Sequence, residues 1–105
     1  MTILGIDHVQ LAMPVGGEEV ARPFYRDVLQ LAEQPKPANL AQRGGCWFAN
    51  GAVQIHLGVE QDFRPAKKAH PALLVDALDP IVDACRARGL EVVDAEPLAG
   101  YRRVH

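Results

Sequence analysis

The chain has 105 residues, 49% hydrophobic and 23% charged, with 11 basic and 13 acidic side chains giving a formal charge of -2. That composition fits a single globular domain with enough apolar material for a core, and it excludes wholesale disorder. The weak negative balance argues against a nucleic-acid or anionic-membrane footprint, and no apolar run approaches a membrane span. The start, Met1-Thr2-Ile3-Leu4-Gly5, has no basic stretch ahead of an apolar one, so a cytoplasmic protein without a secretory leader is expected. Cys46 and Cys85 lack any paired spacing and fit reduced thiols. In chain order, residues 3–13 read as a strand with Val9, Leu11 and Met13 on one face and His8, Gln10 and Ala12 on the other. Pro14-Val15-Gly16-Gly17 ends it. A helix over 18–29 follows, its apolar stripe being Val20, Phe24 and Val28. Pro23 predicts a short first turn and a restart with the proline in the new first turn. Residues 31–34 form a short strand, and 35–39 a loop. Asn50-Gly51 sits between Cys46-Trp47-Phe48-Ala49 and Val53-Gln54-Ile55-His56-Leu57, a strong hairpin signal. Here Gln54 and His56 face away from Val53, Ile55 and Leu57. Residues 60–69 are a basic linker, and 70–75 a further strand. Asp79-Pro80 then supplies an N-cap and a first-turn proline for a helix to Arg88. Gly89 stops it as the C′ residue. Residues 90–93 and 101–104 are short strands.

The order of elements repeats. Residues 3–59 make strand, helix and three strands, and residues 70–105 begin the same series and stop about one strand short. Asp7-His8-Val9 on the first strand, Phe24-Tyr25-Arg26-Asp27-Val28-Leu29 on the helix, Gln54-Ile55-His56-Leu57, His70, and Tyr101-Arg102-Arg103 together resemble the vicinal oxygen chelate superfamily. That superfamily includes glyoxalase I, extradiol dioxygenases, fosfomycin-resistance transferases and bleomycin-binding proteins. The resemblance implies an α+β fold of two βαβββ modules forming a curved mixed sheet around a cleft. Module one spans 3–59, the linker 60–69 and module two 70–105, lacking its last strand. Family members carry a metal-binding glutamate on that strand, next to the first strand of its module. Its absence leaves the His70 strand short of a partner. A partial sequence of a longer protein is the favoured explanation, ahead of a truncated product or a strand supplied by a partner chain.

Alternation turns His8 and His56 to the face opposite the helix, and His70 holds the place in module two that His8 holds in module one. Neutral imidazoles suit Zn, Ni, Fe, Mn or Co. The resemblance makes His8, His56 and His70 ligands of a divalent metal ion whose identity is open. Gln10 and Gln54, on the same faces as the histidines, are candidate substrate contacts. Trp47 and Phe48 point oppositely and either could be core, with Trp47 taken as a cleft wall. Tyr101 and Arg103 share a strand face, and an arginine fork suits a carboxylate or phosphate. Asp7, on the opposite face from His8, is set aside as a strand-edge residue.

Two functions follow from the resemblance. One is a metal-dependent lyase, isomerase or dioxygenase acting on a small substrate with vicinal oxygens. The other is a metal-free protein that binds a small molecule or antibiotic, as in bleomycin resistance. No catalytic residue is assigned. One of the family's general-base positions carries His56 and the other is missing, which counts against lactoylglutathione lyase activity. A homodimer is expected in either case.

Overall fold

In the computed structural model, which describes residues 1–105, the chain falls into two units, Met1–Pro71 and Ala72–His105. His70 therefore goes with the first unit. The first unit is one open sheet with helices, built as β1 (Val9–Met13), α1 (Glu18–Arg22), a π-helical stretch Pro23–Val28, β2 (Ala32–Gln34), α2 (Ala38–Ala41), β3 (Cys46–Asn50) and β4 (Val53–Val59). Strand order is β1-β4-β3-β2, with β1 parallel to β4 and the other pairs antiparallel. This is one βαβββ module in an α+β chain.

Gly51, at φ 57, makes the expected turn between β3 and β4. The ladder of β1 begins at Val9, opposite Ile55, later than the expected residue 3; Asp7 and His8 fall opposite Val53 and Gln54 of β4 without joining the ladder. Residues only a few places earlier would face the Gly51 turn, where β4 has no strand left to offer. Pro23 changes the helix as foreseen, though by widening it instead of restarting it. Lacking an N–H, it cannot continue the bond pattern of α1, and the next turn is wide, with Leu29 N–H donating to the Phe24 carbonyl at 3.0 Å. Leu31 N–H then reaches the Tyr25 carbonyl, also at 3.0 Å, around Gln30 in the left-handed region.

The core is Met13, Leu31, Cys46, Phe48, Ile55 and Leu57, with Ala21, Tyr25 and Leu29 of the helical segment packed on it. Val28 is buried as expected, whereas Ala21, Tyr25 and Leu29, each one residue on from the expected positions, are the helical residues packed on the core cluster, and Val20 is 81% exposed. Ala21 and Tyr25 share the same spacing of four, and Tyr25 stacks on Phe48 with centroids 5.3 Å apart. Arg22 donates from Nε to both Glu33 oxygens, at 3.0 and 3.2 Å, tying α1 to β2. Residues 38–41, part of the expected loop and its sequel, form the short helix α2.

The second unit holds α3 (Leu78–Ala87). It starts before Asp79, whose carboxylate accepts from Arg102 Nη2 at 2.7 Å and caps nothing. Pro80 still falls in the first turn, where its missing N–H costs nothing. Gly89, at φ 72, ends the helix as expected. Its N–H reaches the Arg86 carbonyl and that of Leu90 the Cys85 carbonyl, a Schellman closure. The strands expected over 70–75, 90–93 and 101–104 are absent as ladders. Residues 93–95 and 103–105 make a short antiparallel contact through isolated bridges, and 70–75 pairs with no segment of the chain. Leu74 is consequently 90% exposed. No helix is long and apolar enough to cross a membrane.

Candidate functional site

Period two separates the first unit's sheet into two faces. The apolar face carries Leu11, Met13, Ile55, Leu57, Cys46 and Phe48 toward the core. The registers Gln10 opposite His56, Trp47 opposite His56 and Ala49 opposite Gln54 put Gln10, Gln54, His56 and Trp47 together on the other face. These are the faces that alternation predicts, and Trp47, not Phe48, is the aromatic turned from the core.

On that face three rings stand in a row. The His8 and His56 centroids are 4.0 Å apart at 16°, and the Trp47 and His56 rings 4.1 Å apart at 8°. Neighbouring strands are spaced by a little under 5 Å, so flat side chains on adjacent strands can stack edge-on to the sheet. The sandwich leaves His56 9% exposed. Burial, then the neighbouring His8, hold its imidazole below the ordinary histidine value, against the opposing pull of Asp7. Beside the stack, Gln10 lies across Gly58: a Cβ added there would meet Gln10 Nε2 at 2.8 Å. Gly58 is thus the seat of the Gln10 carboxamide. Gln54 is exposed.

His8 Nδ1 lies 2.9 Å from Asp7 Oδ2. Sequence reasoning missed this partner because it carried strict alternation back to residue 7, where no ladder enforces it.

The remaining candidates lie elsewhere. His70 is exposed, with Nδ1 2.7 Å from the Lys68 carbonyl. Tyr101 and Arg103 belong to the second unit, where they help line a cavity of about 240 Å³ with Leu78, Glu96 and Leu98. Arg103 donates from Nη2 to the Glu96 carbonyl.

The donors as placed do not fit a divalent ion. No three His, Cys, Asp or Glu side chains are grouped to hold one. The two adjacent imidazoles are near parallel at 4.0 Å. Ring-nitrogen lone pairs lie in the ring plane and a bound ion sits about 2 Å along them, so one ion cannot lie in both planes. What the face offers instead is an aromatic and imidazole wall with carboxamides at its edge, which can stack a planar group and hydrogen-bond its substituents.

No family model matches the chain, and no curated protein matches it. A solved structure does. A protein from Bacillus anthracis, assigned to the glyoxalase family, is 48% identical over 99% of this chain and 85% of its own, with a TM-score of 0.89.

Proposed function

The chain belongs to the glyoxalase family, and on that premise we propose that the polar face of its sheet binds a small molecule through His8, His56 and Trp47, with Gln10 and Gln54 at the rim. The observation that carries this reading is the three-ring stack, which stands on the face opposite a complete core and contributes nothing to that core. Flat rings with carboxamides beside them orient a ligand by stacking and by a few directed hydrogen bonds. Trp47 is the chain's one tryptophan, so its emission reports on the stack directly. Titration with a panel of small aromatic and heterocyclic compounds should change that emission saturably, and His56→Ala should weaken the response. A panel with no saturable response in the wild type would refute the reading.

A metal-dependent enzyme of the vicinal oxygen chelate superfamily, acting on adjacent oxygens, is a second reading. The adjacency of His8 and His56 on one face favours it. It requires the His8 ring to leave the stack and a further donor, for which His70 is the candidate. Elemental analysis on protein purified without chelators decides it. About one Fe, Mn, Ni, Co or Zn per chain, lost in His8→Ala, supports it, and no uptake on titration removes it. A homodimer goes with both readings, since the exposed apolar Ile3, Leu4 and Leu74 are surface that a second copy would cover. A monomer mass by light scattering would exclude it.

A further inference from the structure

We infer that Asp7 is a positioning residue that holds His8 in the tautomer with a bare Nε2, so that the face takes a ligand carrying a hydrogen-bond donor, a hydroxyl or an N–H. The part about the ligand rests on the small-molecule reading above, and the part about the tautomer stands without it.

Asp7 Oδ2 is 2.9 Å from His8 Nδ1. A carboxylate has no hydrogen to donate, so the hydrogen between them belongs to Nδ1. A neutral imidazole carries one N–H, which leaves Nε2 with a lone pair and no hydrogen. A second contact fixes the ring as a whole, because His8 is stacked on His56 at 4.0 Å and 16°. The stack sets the ring plane, and the Asp7 bond sets which nitrogen points which way. The pair is possible because residues 7 and 8 precede the β1 ladder and are free of its alternation.

The consequence is a directional acceptor on a face whose carboxamides are indifferent. The Gln10 and Gln54 carboxamides both donate and accept, so they serve a ligand of either kind. His8 Nε2 only accepts. A ligand with a hydroxyl or N–H satisfies it, while an isostere without one leaves the lone pair facing an apolar group once water is displaced.

The experiment uses the full chain labelled with 15N, at a pH where the imidazoles are neutral, and reads the protonated nitrogen of His8 from its ring-nitrogen shifts. In the wild type Nδ1–H is expected as the major form. Asp7→Ala should move the population toward Nε2–H by about threefold to tenfold, the range set by one exposed hydrogen bond. Asp7→Asn supplies a carboxamide that donates as well as accepts, so it too should lose most of the Nδ1–H preference, whereas Asp7→Glu keeps an acceptor-only carboxylate. An Nε2–H majority in the wild type, or a ratio unchanged in Asp7→Ala, overturns the assignment of Asp7. Asp7 is exposed, and amide spectra matching beyond residues 6–8 confirm that the variants are folded. Phenol and anisole are then titrated as matched probes with and without the donor. Phenol should bind about threefold to tenfold more tightly, and Asp7→Ala should remove that preference. Equal binding of the two probes by the wild type overturns the ligand class. The tautomer ratio is read without ligand, so its failure is distinguishable from a failure of the face to bind.

Discussion

The protein should lose stability on substitution of either Gly45 or Gly58 by alanine, but by very different amounts. Gly45 sits at φ +85, just before β3, and a Cβ there would lie 2.1 Å from the Leu57 carbonyl oxygen. That oxygen is backbone of β4, and Leu57 stands opposite Cys46 in the ladder. Neither partner can swing aside, so Gly45→Ala must separate the strands locally. Left-handed strain contributes about 1–3 kcal/mol, and a lost or bent ladder hydrogen bond about 1 kcal/mol more. The sum, about 3 kcal/mol, is a large fraction of an ordinary domain's stability. At Gly58 the nearest obstacle is Gln10 Nε2 at 2.8 Å, the far end of a flexible side chain. Gly58→Ala should therefore displace the carboxamide at a cost within about 1 kcal/mol. Urea unfolding read through Trp47 emission follows the first unit. With a slope near 1.5 kcal/mol/M, the midpoint should fall by about 2 M for Gly45→Ala and by under about 0.7 M for Gly58→Ala. A Gly45→Ala midpoint as high as that of Gly58→Ala would refute the close-approach argument.

Trp47→Leu should cost about 0.5–1.5 kcal/mol from the lost ring contact and move the His56 ring protons downfield, while Trp47→Phe keeps most of both; unchanged His56 shifts in the leucine variant would mean that the rings are not stacked in solution. His56 is held below the ordinary histidine value by burial and by His8. The unfolded chain therefore takes up the proton first as pH falls, so this contribution to stability is complete above the ordinary histidine range and is lost on acidification through it toward the folded value. Urea midpoints at pH 8 and pH 5 should differ less in His56→Gln than in wild type, and equal differences would discount the effect. Cys46 is 2% exposed and burial pushes its thiol up, whereas Cys85 is half-buried. A thiol reagent should label Cys85 in the native state and Cys46 only as the first unit opens, and rapid double labelling would contradict that.

What the sequence made legible is what short-range rules govern. The Asn50-Gly51 turn, the faces of β3 and β4, the disturbance at Pro23 and the Gly89 helix end each depend on a few neighbouring residues. The His56–Trp47 pair was readable in the same way, since the turn sets the register that puts them opposite. The start of the β1 ladder was harder, because it is set by pairing with a strand far along the chain, and it falls short of the point where β4 begins. Residues 70–75 show the converse. Leu73, Leu74 and Val75 have strand character, but strand character needs a neighbour, and no segment of the chain pairs with them. Asp79 looked like a cap from its neighbour Pro80, yet an arginine from the other end of its unit claims its carboxylate.

The parallel pairing of β1 with β4 has a consequence in time. Val9 finds Ile55 only after the chain has passed through two helices and the β2–β3–β4 meander. The β3–β4 hairpin closes through a tight turn, and β2 joins it across the α2 segment, all local contacts that can assemble early, whereas β1 must wait for the partner made last in its unit. Trp47 and His56 therefore meet first, as part of a hairpin, and His8 arrives with the strand that completes the sheet. On a ribosome that step cannot be completed until residue 59 has emerged. The ring row is then a late product of folding, and any lesion that slows the docking of β1 leaves a stable meander carrying two rings and no third.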